Sequence, residues 1–308
     1  MIVPSSSLAD KIPSVRRRDF VSFATAATAS AGLPLTAAAA TLPSRTAGKV
    51  EIVFRSPGPH PNGLQATGEG LWIIDQSEGN KAYLVSYSDG KVLRSFPTET
   101  DRSSGITFDG TSLWIGSTYN RQIVRVDART GKTIEKHFTP GAGVIYNMVG
   151  DPPARSSPLV VLKSAPPRPA IQPIAKPVQQ SVGGFRAGAI LGAVAPGTGA
   201  HGQEWLDGFL WMAVPPSREV YKIDPKTWAV HRKFPTAANR PHGIGWEGRY
   251  LWVTDSNLNA FFKHDPDTGE MLEKIQLRDS DPLPHGMTIR NGYMWYCDDV
   301  GVICRFRM

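Results

Sequence analysis

An all-β ring of four-stranded blades, a β-propeller, is the fold predicted by three features of this 308-residue sequence. The first is a phrase written five times: a polar residue followed by Gly, an apolar stretch, a second Gly, an apolar residue followed by Trp, and a run of strand formers. The copies open at Asn62-Gly63, Ser104-Gly105, His201-Gly202, His242-Gly243 and His285-Gly286. The second is the period. Trp72, Trp114, Trp211, Trp252 and Trp295 lie 42, 97, 41 and 43 residues apart, and self-similarity at roughly 40–50 residues with several short strands per copy is how a propeller reads. The third is the match between the chain ends. Residues 48–54 repeat the outer-strand phrase of residues 131–138, and the last copy stops after three strands at Met308. A strand from the N-terminal side is therefore expected to complete the last blade and remove the open sheet edges.

Residues 1–40 read as an address. Arg16, Arg17 and Arg18 precede Phe20 and a mildly apolar, uncharged run over 23–35, and Ala37 to Ala40 offer a small-residue cleavage site. This is the pattern of a twin-arginine (Tat) export signal. It is too short and too interrupted, by Gly32 and Pro34, for a membrane span. The expected mature chain is a single propeller domain over 41–308, periplasmic or secreted, handled by the Tat machinery and monomeric. Tat substrates cross already folded, which suits a protein loaded with a metal before export.

The copy that begins at His242 shows the grammar of a blade. Residues 242–246 form the strand nearest the axis, 250–255 the second, 260–264 the third and 270–277 the outermost. Asp265-Pro266-Asp267-Thr268-Gly269 is a turn in which Asp caps backbone N–H groups and Gly takes positive φ. The turn recurs at 127–131, and at 224–228 with Trp228 in the Gly position. The Gly after each opening residue suits backbones crowded at the axis, and the repeated Trp is a filler between neighbouring sheets.

The 97-residue interval is the irregular stretch. Residues 145–200 lack the Trp and the Asp turn, and eight prolines fall within 152–177, against central strands there. Remnants at 144–149, 159–162 and 189–194 make a degenerate sixth blade the favoured expectation. A Pro-rich insertion over a five-bladed ring is the alternative.

Composition narrows the function. The formal charge is +7, and residues 1–40 carry Lys11 and three arginines against Asp10 and Asp19, so their removal leaves +5. No basic block or basic aromatic helix accompanies that charge, which excludes a nucleic-acid role. A mildly positive surface suits anionic small molecules. Cys297 and Cys304 fall opposite each other if Val300-Gly301 is a hairpin tip, so a disulfide and two buried thiols are both open.

The chemistry is concentrated in one ring. His201, His242 and His285 hold the same repeat position on consecutive copies, with Asn62 and Ser104 in the other two, so three imidazoles face the axis together and His60 can lean onto them. Neutral imidazoles on rigid strands are ligands for Zn²⁺ or another first-row divalent metal, and three of them leave a tetrahedral metal one vacancy. The strand after each opening residue ends at Asp75, Ser117, Val214, Asp255 or Asp298. Asp255 and Asp298, beside His242 and His285, are candidate catalytic carboxylates, as is Glu204, three residues past His201. The alternative is a His/Asp hydrogen-bond network inside each blade with no chemistry. His137, His231 and His264 fall on outer strands or turns and are expected at the surface.

Over 48–140 and 200–308 the Gly-x-Leu-Trp strand and the Asp-Pro-x-Thr-Gly turn resemble the virginiamycin B (streptogramin) lyase propellers, and more distantly the gluconolactonase and plant-type glutaminyl cyclase propellers. The lyase resemblance implies that a His opening an inner strand acts as base and that an acid ending the next strand helps hold Mg²⁺. His242 with Asp255 and His285 with Asp298 match that arrangement. The acid that the lyases carry two residues before their His is Arg240 or Leu283 here, and the three clustered His favour a softer metal than Mg²⁺. The implied function is an exported metal-dependent lyase or hydrolase acting on a small lactone-like or cyclic substrate at the channel mouth. Metal-bound water would be the reactive group, and Glu204 or Asp298 would move the proton. The alternative is a non-catalytic propeller that binds a ligand or a protein across the same face.

Overall fold

The computed structural model describes residues 42–77, 79–142, 198–238, 240–298 and 301–308. After β1 (Ser44–Thr46) and β2 (Glu51–Arg55), four complete blades follow in sequence. They are β3 (Pro61–Ala66) to β6 (Val92–Pro97), β7 (Ser103–Phe108) to β10 (Thr133–Phe138), β11 (Gly202–Leu206) to β14 (Val230–Pro235), and β15 (Pro241–Glu247) to β18 (Met271–Gln276). The fifth blade is β19 (Met287–Arg290), β20 (Tyr293–Cys297), β21 (Val302–Arg307) and then β2, which pairs antiparallel with β21. The expected closure is therefore formed. One element was not anticipated: β1 adds a fifth, parallel strand to β18, held by the Arg45–Glu273 ion pair at 2.7 Å. Among the described residues no helix is long and apolar enough to cross a membrane.

Each blade's Trp is buried between neighbouring sheets, as a packing residue should be. A cation lies over each: Arg94 over Trp72, Arg125 over Trp114, Lys222 over Trp211, Lys263 over Trp252 and Arg305 over Trp295. In four blades that cation stands directly opposite Trp in the antiparallel register, so strand pairing sets the cation–π contact. The capped turns also form: Asp127 Oδ1 accepts from Arg129 N and Thr130 N, and Asp265 Oδ1 from Asp267 N and Thr268 N. Trp228 takes φ of 60° in its turn and stacks on His137 at 4.1 Å. His264 is fully buried against Phe234, contrary to the surface placement expected for it.

Five blades complete the ring. A Cβ placed on Gly63 would lie 2.5 Å from Gly105 Cα, one on Gly105 2.7 Å from His201 O, and one on Gly286 2.5 Å from Gly63 Cα. Ser104 Oγ lies 3.1 Å from His201 O, so the second blade meets the third directly. No gap remains there for the sixth sheet that the 97-residue interval suggested. Backbone contact at the glycines fixes the number of inner strands, whatever the length of chain between two copies. The blade remnants expected at 144–149, 159–162 and 189–194 lie outside the described residues, as does the export signal.

The two cysteines are buried and form no disulfide. Cys297 pairs with Ile303, and Cys304 with Tyr296, so the thiols point to opposite faces of the blade. The hairpin tip is longer than a two-residue turn, and the buried-thiol alternative holds.

Candidate functional site

The residues that open the inner strands are turned off the ladder. The register slips at Asn62 in β3, at Gly105, one residue past Ser104, in β7, and at His242–Gly243 in β15, and such bulges re-aim a side chain. At the other two openings the backbone pairs outside the strands: His201 N donates to Ala213 O, and His285 N to Cys297 O. All five side chains therefore meet at one end of the axis. The His242 and His285 rings lie 3.9 Å apart and tilted by 31°, and the His201 ring meets His242 edge-on at 4.7 Å. Ser104 Oγ donates to Asn62 Oδ1 at 2.8 Å on the opposite side of the ring. The clustering read from repeat position is present.

The partners of these imidazoles differ from those expected. His242 Nδ1 lies 3.1 Å from the Arg240 carbonyl oxygen and 3.1 Å from Ser256 Oγ. A carbonyl only accepts, so Nδ1 carries the ring proton and Nε2 carries the lone pair. Ser256 donates its own proton to Pro284 O at 2.6 Å, which makes it a brace between blades and not a nucleophile. His285 Nε2 faces Arg240 Nη2 at 3.5 Å. A guanidinium only donates, which places the His285 proton on Nδ1. That buried Nδ1, and both ring nitrogens of His201, have no hydrogen-bond partner among the described residues.

Burial, with Arg240 close by, keeps all three imidazoles neutral. The His201 pKa falls to about 3, from burial first and Arg240 second. His242 and His285 drop well below the ordinary histidine value, again through burial first. Asp255 does not touch His242. Its carboxylate caps Arg240 N and Leu258 N, both at 3.1 Å, and burial lifts its pKa to about 6. Asp298 Oδ1 accepts from Val302 N in the same way, and Asp75 caps His60 N and Ser77 N. These strand-end acids hold backbone N–H groups of the loops at that end of their blades.

Glu204 is separated from the imidazoles. It stands three residues down its strand, beyond the glycine constriction, where Gln65 and Thr288 bond its carboxyl and Thr107 bonds Gln65. These are the residues three past Asn62, His285 and Ser104, so they form a second ring. Burial raises the Glu204 pKa to about 8.

This arrangement predicts a stability maximum bounded by two groups of opposite sign. Glu204 is protonated in the fold but ionises near 4.5 in the unfolded chain, so stability should decline as pH rises from about 4.5 to about 8. The three histidines are neutral in the fold and protonate near 6.5 when unfolded, so stability should fall as pH drops below 6.5. Between pH 6.5 and 8, denaturant unfolding should show Glu204 removing about 2 kcal/mol of stability from the parent protein. The Glu204→Gln variant should lack that loss, and the same pH response in both proteins would refute a buried neutral Glu204.

A divalent metal on His201, His242 and His285 does not fit this donor set. The His242 and His285 rings lie against each other at 3.9 Å, His242 Nδ1 is engaged, and a permanent cation sits 3.5 Å from His285 Nε2. Among the described residues no group of three or more His, Cys, Asp or Glu is placed to hold a metal ion. Arg240 and Ser256 were not picked out as site residues from the sequence. The signal available was Arg240's place two residues ahead of His242, level with His60 and Arg102 in the first two copies.

No family model and no curated protein matches the chain. Solved structures do. Glutaminyl cyclase of Myxococcus xanthus aligns with 9% identity over 86% of this chain and 97% of its own, with a TM-score of 0.55. Virginiamycin B lyase of Staphylococcus aureus aligns with 16% identity over 80% of this chain and 66% of its own, at 0.44. A streptogramin B lyase aligns with 13% identity over 84% and 98%, at 0.45. At these identities the cyclase likeness establishes the fold alone: the described residues form an all-β propeller of five four-stranded blades, with structural neighbours that include the enzymes whose motifs this chain resembles.

Proposed function

We propose that the chain is an exported propeller whose axial mouth binds a small lactone-like or cyclic substrate and acts on it as a lyase or hydrolase, with His242 as general base. The observation that carries this reading is the tautomer of His242. Arg240 O and Ser256 Oγ hold the proton on Nδ1, so a neutral imidazole keeps its Nε2 lone pair for a substrate proton. That is the base half of acid–base catalysis, supplied by a ring locked in orientation by its neighbours.

In a lyase reaction, Nε2 takes a proton from the carbon adjacent to the one bearing the ester oxygen. The C–O bond breaks, its electron pair leaves on the carboxylate, and a C=C bond forms. In a hydrolase reaction, Nε2 takes the proton of a water whose oxygen attacks the ester carbonyl; the adduct then breaks its bond to the alcohol oxygen, which leaves with the proton returned by Nε2–H. Neither step passes through a metal, and Asp255, Asp298 and Glu204 are not needed as the base. Residues 1–40 are read as the twin-arginine signal that delivers the folded chain to the periplasm or the medium.

The test uses mature protein recovered from those fractions, a recovery that itself requires Arg16 and Arg17. Lactones, cyclic depsipeptides and peptides with N-terminal Gln are assayed with and without chelator. Turnover that persists in chelator supports this reading, and turnover abolished by chelator returns the site to metal chemistry. No turnover on any member favours a propeller that binds its ligand without reacting.

A further inference from the structure

We propose that Asp255 is a positioning residue for His242: acting through backbone groups, it holds in place both partners that fix the proton on His242 Nδ1. The role rests on the reading of His242 as the base and names what orients that base.

Asp255 ends β16 and is fully buried. Its Oδ2 accepts from Arg240 N and its Oδ1 from Leu258 N, both at 3.1 Å, and the carboxylate also accepts from Asn257 N. The first bond fixes the residue whose carbonyl takes the His242 Nδ1 proton. The other two fix the turn that carries Ser256. Ser256 N then donates to Arg240 O at 3.2 Å, which closes the two halves on one another. Arg240 O thus receives Ser256 N–H and His242 Nδ1–H, and Ser256 Oγ stands 3.1 Å from the same nitrogen. The bond at one ring nitrogen decides which nitrogen keeps its lone pair, so a carboxylate that never meets the imidazole sets its tautomer.

The repeat supplies the comparison, because three copies open on His and only one has this frame around it. In the third blade the strand-end residue is Val214, which has no carboxylate, and Gly199, two before the His, gives its N–H to Thr118 O of the second blade. Neither ring nitrogen of His201 has a partner among the described residues. In the fifth blade Asp298 Oδ1 accepts from Val302 N, and His285 Nδ1 is likewise without a partner. The first blade has the frame, with Asp75 on His60 N and Ser77 N and Gln76 N on His60 O, but it opens on Asn62. Frame and His coincide in the fourth blade, where Nδ1 is engaged.

The test is ¹⁵N NMR of histidine-labelled mature protein, with His242 assigned by the signals missing from His242→Gln. The parent is expected to show one neutral tautomer at His242, protonated on Nδ1. Asp255→Ala is expected to show a mixture in which the Nε2–H tautomer is visible. Asp75→Ala, which breaks the matching frame on the first blade, is expected to cost stability as well but to leave the His242 signals in place. On a turned-over substrate Asp255→Ala should lower kcat by about 10–100-fold with KM unchanged, because the carboxylate acts on the base and not on the substrate. Asp255→Asn keeps one acceptor oxygen and should fall between parent and Asp255→Ala; it decides the matter should Asp255→Ala not fold. A His242 tautomer unchanged in the Asp255 variants that fold, or moved as far by Asp75→Ala, would overturn the positioning role, as would an unchanged kcat. A shifted tautomer without turnover by the parent keeps the positioning role and removes the catalytic reading, whereas parent turnover with an unmoved tautomer does the reverse.

Discussion

Replacing His242 by Gln is expected to lower kcat on a turned-over lactone or depsipeptide by about 10²–10⁴-fold, the usual worth of a positioned general base. Glutamine fills much of the imidazole volume and its amide can still donate to Arg240 O, so the ring geometry around it should survive. What disappears is the basic Nε2. His201→Gln should cost far less, because nothing in the structure orients that ring: neither of its nitrogens has a partner among the described residues. Ser256→Ala is an intermediate case. It removes the hydroxyl that bridges His242 Nδ1 and Pro284 O across two blades, and so frees the imidazole without deleting it. Its kcat should fall by about ten-fold or less, since the Arg240 carbonyl still holds the tautomer. Steady-state kinetics of the three variants, with thermal unfolding to confirm folding, separates these roles. An unchanged kcat in His242→Gln would show that the mouth holds its ligand without chemistry by this base.

The fold was legible in the sequence because each blade repeats residues that do one physical task. The Trp fills the space between sheets, the Asp caps a turn, and the glycine after the opening residue allows backbones to touch. The strand limits read for the copy at His242 agree with β15 to β18 to within about one residue. The blade number was not legible. The distance from Trp114 to Trp211 records how much chain lies between two copies, not whether that chain enters the ring. The site was legible by half. Repeat position places His201, His242 and His285 together, but their bonding depends on tertiary contacts that leave no spacing in sequence: a carbonyl two residues back, a serine at the next hairpin, a guanidinium reaching the neighbouring blade. Asp255 looked like a partner of His242 because it ends the same pair of strands, yet its carboxylate is taken up by the backbone N–H groups of Arg240 and Leu258. Glu204 looked close to His201 because it is three residues away. In an extended strand three residues span about 10 Å and reverse the face, which carries Glu204 past the glycines into a different ring.

The same glycines carry the largest expected effect on stability. Gly63→Ala should destabilise the protein by about 3 kcal/mol or more, the upper end of what over-packing costs, and lower Tm by about 6–12 °C for a domain of this size. A Cβ there would sit 2.5, 2.7 and 2.8 Å from Gly105 Cα, N and C. All three atoms are backbone, so no rotamer change can relieve the clash. Gly286→Ala meets Gly63 Cα at 2.5 Å and Asn62 O at 2.7 Å and should behave alike. Gly68→Ala is the control: nothing lies within 4 Å of its Cβ and its φ is not positive, so it should change stability by no more than about 0.5 kcal/mol. Gly208→Ala separates the conformational part. Its surroundings are open but φ is +80°, so about 1 kcal/mol of backbone strain is expected without a clash. An alanine at Gly63 drives Gly105 away, and because Gly286 packs on Gly63 from the other side the displacement reaches both neighbouring blades. Asn62, one residue away, and His285, which precedes Gly286, move with them. A Gly63→Ala protein that is as stable as Gly68→Ala would mean that the inner strands stand further apart than a five-bladed ring allows, and the case against a sixth blade would fall with it.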